Sequence, residues 1–119
     1  MDVKIGENIR SDDFKTEKHV PVIEALDAVK KGKKFDVEIF VGKEVPHPNT
    51  VEHHIKWVEL YAKMDGKPVI QLFHIELGPS YAEPSVKVSI KLEESATLLA
   101  LSYCNLHGLW ESFRFLKVE

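Results

Sequence analysis

The sequence predicts an all-β protein, an antiparallel sandwich of six or seven short strands. Apolar and polar residues alternate with a period of two through most of the chain, as they do in half-buried strands. Turn-forming residues, among them Gly32, Gly42 and Pro84, separate these runs. Segment 22–31 is the one stretch with helical character, and Pro21 before it and Gly32 after it would keep any helix there short. Short strands joined by turns favour a two-sheet sandwich.

The predicted elements follow one another from residue 22 onward. Segment 22–31 is better read as β-structure leading into a hairpin around Lys31-Gly32-Lys33. The pair Asp65-Gly66 is typical of a second hairpin turn. The runs that alternate as strands do are 35–41, 55–62, 69–77, 86–92, 97–103 and 112–118.

Length and composition exclude several classes of protein. A chain of 119 residues with 44% hydrophobic and 29% charged residues is that of one globular domain, residues 1–119. The formal net charge of −3 offers no basic patch for nucleic acid. The longest apolar run, 96–101, is far shorter than the ~20 residues that cross a bilayer. We therefore expect neither nucleic acid nor membrane as a partner.

The single cysteine, Cys104, excludes a disulfide framework and any site built from four cysteines. The first residues, MDVKIGENIRSDDF, contain no apolar signal core. A lone thiol without an export signal indicates a reducing compartment, so the sequence predicts a cytoplasmic location.

Five of the six histidines and the cysteine fall in three short segments that are predicted to be loops. The segments are 17–21 (EKHVP), 46–54 (PHPNTVEHH) and 104–108 (CNLHG). Cys104 and His107 can bind one ion if a tight turn brings them together, and Asn105 and Gly108 permit such a turn. Taken alone, a buried cysteine is more often a small apolar residue.

The other two segments are ambiguous when each is considered alone. His47 lies between two prolines that stiffen its loop. His53 and His54 must face opposite sides of an extended backbone, so at most one of them joins a site. Glu17 and His19 share a face only if their backbone is extended. The alternative is that all of these are ordinary loop residues.

Together the three segments offer one thiolate, up to four imidazoles and a carboxylate. This set is larger than the four ligands of a structural zinc site. Blue copper needs an axial ligand such as methionine, and none follows the Cys-His segment. A nitrogen-rich set with one thiolate suits a non-haem iron. A copper electron-transfer protein and an immunoglobulin-like module with structural zinc remain the alternatives.

Three longer stretches carry a resemblance to a known family: EKHVPVIE at 17–24, GKEVPHPNTVEHH at 42–54 and LSYCNLHGLWE at 101–111. They resemble, in order and spacing, the signature stretches of superoxide reductases, the neelaredoxin and desulfoferrodoxin family. The similarity runs from about Ile9 to the end of the chain. The resemblance implies an immunoglobulin-like β-sandwich, in agreement with the strand pattern of about seven strands.

The resemblance also implies an activity and a metal. The activity is the one-electron reduction of superoxide to hydrogen peroxide at one non-haem iron per chain, which alternates between Fe2+ and Fe3+. Glu17 would close the sixth iron position in the ferric state, and Lys18 would lie beside the open position in the ferrous state. His54 and His74 match no ligand. The implied iron ligands are His19, His47, His53, His107 and Cys104.

The family includes a two-iron form with an added module that is held by four cysteines. Because this chain has one cysteine, it resembles the one-iron neelaredoxin type. The resemblance implies a rubredoxin-like electron donor and a homo-oligomer, often a tetramer.

Two further expectations concern details of the site. Adjacent side chains on an extended backbone point to opposite sides, so Glu17 and Lys18 cannot both face one metal. We therefore expect segment 14–19 to be a mobile loop with two arrangements: in the first Glu17 lies on ferric iron, and in the second Lys18 lies over the vacant ferrous site. We also expect backbone N–H groups, those of Leu106 and His107, to hydrogen bond to the cysteine sulfur.

Overall fold

The computed structural model describes residues 1–14 and 17–119, and most of their regular structure is β-strand. A short 3-10 turn at Ile5–Asn8 precedes the first strand. Among the described residues, no helix has both the length and the apolar character needed to span a membrane. The strands are β1 (Ile9–Arg10), β2 (Val22–Glu24), β3 (Ala28–Val29), β4 (Phe35–Phe40), β5 (Ile55–Lys63), β6 (Ile70–Glu76), β7 (Ser85–Ile90), β8 (Ala96–Cys104) and β9 (Gly108–Val118).

The strands form two sheets. The larger sheet has the order β1-β9-β8-β5-β6, with β3 also paired to β9, and the smaller sheet has the order β2-β4-β7. The seven strands of three or more residues pair antiparallel, which confirms the predicted sandwich of about seven strands. The two-residue strands β1 and β3 run parallel to β9 and were not predicted.

The core lies between the sheets because alternate residues of the long strands face it. Along β8 the burial alternates strictly, and the inward positions run from Ala96 to Cys104. Val37 and Ile39 of β4 and Leu60 of β5 are completely buried. Burying such a side chain contributes roughly 1.5–3 kcal/mol, so these faces hold the sheets together. The alternation also fixes Cys104 as the last inward residue of β8.

The hairpin predicted at Asp65-Gly66 is confirmed. It joins β5 to β6, which pair antiparallel, and Lys67 N–H donates to the Met64 carbonyl at 3.2 Å across the turn. Gly66 has a φ of 71°, which suits glycine in a tight turn.

The hairpin predicted around Lys31-Gly32-Lys33 is wrong. A turn does occur there, but β3 before it belongs to the larger sheet and β4 after it to the smaller one. Lys31 N–H donates to the carbonyl of Glu119, and Gly32 N–H donates to that of Leu92. The turn therefore carries the chain from one sheet to the other, because its backbone groups pair with the ends of distant strands.

The last strand is longer than predicted, since it begins at Gly108 rather than at 112. Leu109 and Trp110 are adjacent and both apolar, so this part of the sequence lacks the apolar–polar alternation that predicts a strand. In the structure they pair with Tyr103 and Ser102 of β8. The turn between Cys104 and His107 is therefore the tip of a β8–β9 hairpin.

Candidate metal centre

The three histidine-bearing segments meet at the end of the sandwich where β8 stops and β5 begins. Cys104, the last residue of β8, lies opposite Ile55, the first residue of β5. His53 therefore enters this end of the sheet just ahead of β5. His107 returns to it from the β8–β9 turn, and the loops that follow β4 and precede β2 bring His47 and His19.

Glu17 lies at the centre of the imidazole group. Its Oε1 atom is 2.8 Å from His19 Nε2 and 3.0 Å from His53 Nε2. It is 3.2 Å from His107 Nδ1 and 3.5 Å from His47 Nε2. One carboxylate oxygen therefore touches all four predicted imidazole ligands.

The sulfur lies against the same group. Cys104 Sγ is 3.6 Å from His47 Nε2 and 3.8 Å from His107 Nδ1. His107 Nδ1 is also 3.1 Å from His19 Nε2. The structure thus brings together all six residues that the sequence singled out as ligands, although their role in binding a metal stays a prediction.

The spacing and chemistry of these atoms fit a single ion. Two overlapping sets of four residues, one with Cys104 and one with Glu17, each have all ligand atoms within 4.8 Å of one another. Ligands that lie about 2.0–2.3 Å from one metal are necessarily this close together. The buried atoms Glu17 Oε1 and His53 Nε2 have no properly oriented hydrogen-bond partner among the described residues. A bound cation would provide a partner for the lone pairs of such inward-facing atoms.

The orientation of the His47 ring is fixed by a hydrogen bond from the ring nitrogen that faces away from the cluster. Its Nδ1 atom donates a hydrogen bond to the Pro48 carbonyl at 2.7 Å, so Nε2 keeps a free lone pair toward the cluster. Burial lowers the pKa of His47 to about 4, although this hydrogen bond acts in the opposite direction. The ring is therefore neutral at pH 7, as a metal ligand must be.

His19 is completely buried and is held on several sides. The ring of Trp110 stacks on it at 4.4 Å with an interplanar angle of 11°, and Phe14 meets it edge-on. Its backbone N–H donates to the Asp13 carboxylate, and its carbonyl accepts from Ser102 Oγ at 2.8 Å. Burial lowers the pKa of His19, which favours the neutral ring.

Cys104 is buried, and burial raises the pKa of its thiol. Backbone N–H groups of Leu106 and His107 donate hydrogen bonds to the sulfur and act in the opposite direction. These are the two N–H groups that the sequence analysis expects near the sulfur. A coordinated cation would hold the thiol deprotonated.

Glu17 is charged within this group of rings. Burial would raise the pKa of Glu17, but the attraction of His53, His19 and the other two rings outweighs burial and lowers it. Lys18 instead lines a shallow surface pocket together with Asp13 and Lys43. The positions of Glu17 and Lys18 are compatible with the first of the two expected arrangements of 14–19, which stays a prediction. Residues 15–16 lie outside the described part of the chain, and the second arrangement stays a prediction.

The cluster has a closed side and an open side. His19, His47 and Cys104 are buried at 5% exposure or less. The side chains of His107, Glu17 and His53 are 35%, 23% and 18% exposed. A small molecule can therefore approach along the His107 and His53 edge.

The two remaining histidines, His54 and His74, have hydrogen-bond partners outside the cluster. His54 is buried and donates from Nδ1 to the Thr50 carbonyl at 3.0 Å. His74 lies on the outer face of the larger sheet between Glu59 and Glu76, whose hydrogen bonds raise its pKa.

Sequence reasoning missed the supporting role of three residues near the cluster. They are Asp13, Trp110 and Asn105, which was expected only to permit the turn after Cys104. Asp13 is far enough from His19 in the chain that no local pattern links them. Trp110 lies two residues after the Cys-His segment, but an aromatic residue there is equally typical of a core position. Only the fold identifies their partners.

A β-sandwich whose loops bring together four imidazoles, one thiol and one carboxylate is typical of a metal-binding protein with nitrogen and sulfur ligands. The family model described as Desulfoferrodoxin matches residues 11–113. The chain belongs to the desulfoferrodoxin family.

Named relatives agree with this assignment. A superoxide reductase of Pyrococcus furiosus is 46% identical over 91% of this chain and 95% of its own length. A neelaredoxin of Megalodesulfovibrio gigas is 40% identical over 98% of this chain and 100% of its own. The solved superoxide reductase (neelaredoxin) of Ignicoccus hospitalis superposes with a TM-score of 0.92 at 43% identity, covering 98% and 100% of the two chains.

Proposed function

We propose that this chain is a superoxide reductase that uses a single non-haem iron held by His19, His47, His53, His107 and Cys104. The reaction joins superoxide, one electron and two protons to give hydrogen peroxide. The observation that carries the proposal is the convergence of four ring nitrogens and one sulfur, with Glu17 Oε1 within 3.5 Å of all four rings. As a member of this family the protein is an oxidoreductase.

When bound, the iron supplies the electron by passing between Fe2+ and Fe3+, with a thiolate that pushes electron density toward it. The chain's own residues set the conditions for this. The N–H groups of Leu106 and His107 moderate the thiolate by hydrogen bonding to the sulfur. The buried side of the cluster keeps His19 and His47 neutral, so that both can remain ligands.

The open side of the cluster accounts for the choice of substrate. Superoxide is small and anionic, so it needs only a narrow opening and a nearby positive charge. The exposed edges of His107 and His53 provide the opening. In the second arrangement of 14–19, Lys18 replaces Glu17 near this opening and attracts the anion. Solvent at the same edge supplies the two protons.

The decisive experiment is anaerobic addition of superoxide to the reduced, iron-loaded protein. Iron oxidation, hydrogen peroxide and dioxygen are measured together. A reductase gives one peroxide for each superoxide consumed and no dioxygen. Sustained dioxygen release would identify a dismutase and contradict the proposal.

The identity of the bound metal tests the two alternative functions. A copper electron-transfer protein would contain copper rather than iron after growth without added metal. An immunoglobulin-like module with structural zinc would stay colourless on oxidation, because zinc has no visible transition. A measured iron content of about one atom per chain would support a single iron site.

Lys18→Ala is expected to slow the encounter with superoxide about five-fold at low salt and to flatten its salt dependence. A unit charge at ~4 Å in water contributes about 1 kcal/mol, and salt screens it. Pulse radiolysis over a range of ionic strength measures both effects. Glu17→Ala is the matched control: it should alter the ferric spectrum and anion binding with little effect on the encounter. An unchanged salt dependence in Lys18→Ala would contradict the role of Lys18.

The electron that restores the ferrous state is proposed to come from a small rubredoxin-like protein. Leu106 and Val51, beside two of the histidine ligands, are 59% and 66% exposed and offer an apolar contact next to the open edge. Weak redox encounters use small contacts of this kind. We place this reaction in the cytoplasm and treat residues 1–119 as one iron-binding domain.

The chain is also proposed to form a homo-oligomer, a tetramer by family likeness, through the outer face of the larger sheet. Phe113 and Phe115 of β9 are 77% and 61% exposed, and Val69, just ahead of β6, is 50% exposed and lines a groove with Tyr61 and Leu99. Exposed apolar residues gathered on one face are typical of a surface that a second copy covers.

Phe113→Glu combined with Phe115→Glu is expected to convert the oligomer to monomers. The added charges would have to be buried without partners at the contact. Sedimentation or light scattering measures the mass. Tyr81→Glu is the control, because Tyr81 is 94% exposed but lies in the β6–β7 connection away from this face. A wild-type monomer, or a double variant that keeps the wild-type mass, would refute this contact.

A further inference from the structure

The β8–β9 turn creates a problem in hydrogen bonding that the site must solve. β8 has to stop at Cys104 so that the chain can turn and bring His107 back to the cluster. Cys104 pairs with Gly108 across the turn, which leaves only residues 105–107 between them. Because β8 turns away there, the segment ahead of β5 loses its strand neighbour just where it carries His53.

The side chain of Asn105 takes the place of that neighbour. Its Oδ1 atom accepts a hydrogen bond from His54 N–H at 2.8 Å, and its Nδ2 atom donates to the Glu52 carbonyl at 2.9 Å. Its backbone N–H donates to the His54 carbonyl at 3.2 Å. The residue next to Cys104 therefore holds the backbone on both sides of His53.

The ring of His53 depends on this support. Its Nε2 atom has no properly oriented hydrogen-bond partner among the described residues, and its side chain is 18% exposed. The position of the ring is thus set by the backbone that carries it. Thr50 holds the His53 N–H within its own loop, whereas Asn105 ties that loop to the strand of Cys104.

We propose that Asn105 is a positioning residue that fixes the separation between the Cys104 sulfur and the His53 imidazole through its hydrogen bonds to Glu52 and His54. The proposal rests on the proposed iron site. A carboxamide is required because it donates at one atom and accepts at the other. An aspartate would still accept from His54 N–H, but its second oxygen would face the Glu52 carbonyl. An alanine would leave both backbone groups without a partner.

The test compares Asn105→Ala and Asn105→Asp in the full-length, iron-loaded protein. The rate of Fe2+ loss to a chelator and the visible thiolate band of the oxidised protein are measured. Asn105→Ala should release iron about 10–100-fold faster, as is usual when an outer partner of a ligand is lost, and should shift the band. Asn105→Asp should fall between Asn105→Ala and the wild type in both measurements.

Asn49→Ala is the matched control. The Asn49 amide also bridges two backbone groups, since it accepts from Ser80 N–H at 3.0 Å and donates to the Ala82 carbonyl at 3.3 Å. It does not connect the strand of Cys104 to His53. It should therefore lower the unfolding free energy of the metal-free protein without moving the thiolate band.

Three results would overturn the positioning role. They are a wild-type band and release rate in Asn105→Ala, an equal shift in Asn49→Ala, and wild-type behaviour of Asn105→Asp, which would make the bond to Glu52 dispensable. If the wild-type chain itself binds no iron or stays colourless, the iron site fails rather than the role of Asn105.

Discussion

Gly42→Ala is expected to destabilise the protein by about 3 kcal/mol or more and to release iron at least 10-fold faster. Gly42 has a φ of 77°, and an added Cβ would lie 2.5 Å from His47 N and 2.9 Å from the Val45 carbonyl oxygen. Both obstacles are backbone atoms that cannot rotate away. The left-handed conformation costs a further 1–2 kcal/mol or so for a residue with a Cβ.

The physical reason is that Gly42 closes the loop that carries His47. To make room, the backbone of Val45 to His47 must move outward, and the imidazole moves with it. His47 is held to Pro48 by a 2.7 Å hydrogen bond, so the displacement moves the ring rather than being absorbed by it. Loss of one ring as a ligand would lower the overall affinity of the proposed site for the ion.

Gly66→Ala separates the cost of the left-handed backbone conformation from the cost of the close contacts at Gly42. Gly66 has a φ of 71°, but a Cβ there would meet nothing within 4 Å, and the hairpin lies away from the site. It should cost about 1–2 kcal/mol and leave iron release unchanged. Denaturant unfolding and chelator kinetics measure both variants. Equal losses in Gly42→Ala and Gly66→Ala would show that the close approach at Gly42 has no consequence.

Cys104→Ser is expected to abolish the visible colour of the oxidised protein and to reduce superoxide turnover by more than 100-fold. A serine hydroxyl stays protonated and is a poor ligand for iron compared with a thiolate. Losing an outer partner of a ligand costs roughly 10–100-fold, so losing the sulfur itself should cost more. Absorption spectra and peroxide yield under anaerobic addition of superoxide measure the two effects.

The variant should still fold, because serine is nearly isosteric with cysteine. The N–H groups of Leu106 and His107, which donate to the sulfur, can donate to the hydroxyl instead. Unfolding of the metal-free proteins is the control and should differ by no more than about 1–2 kcal/mol. Because Cys104 is the only cysteine, retained colour in Cys104→Ser would rule out a thiolate ligand altogether.

Much of the fold could be predicted from local pattern. The alternation along β8, from Ala96 to Cys104, is plain in the sequence because one face of the strand is buried and the other is not. The hairpin at Asp65-Gly66 follows from turn chemistry. The turn at Gly32 was misassigned to a hairpin, because its partners are Leu92 and Glu119, which no local pattern reveals.

The donor set was likewise visible in the sequence, whereas its assembly was not. Residue types alone indicated a thiolate, imidazoles and a carboxylate on three loops, and the family likeness separated His53 from His54. That Asp13 holds the backbone of His19, and that Trp110 stacks on its ring, depends on segments far apart in the chain.

The sequence by itself therefore determined most of the longer strands, the kinds of ligand atom and the family. Only the tertiary structure decided that Glu17 lies over the rings while Lys18 lines a surface pocket, that His107 and His53 form the open edge, and that Asn105 ties two ligand segments together. Local patterns fix what each residue offers, because they depend on neighbours in the chain. Distances between loops depend on how two sheets pack, and those contacts join residues that are dozens of positions apart.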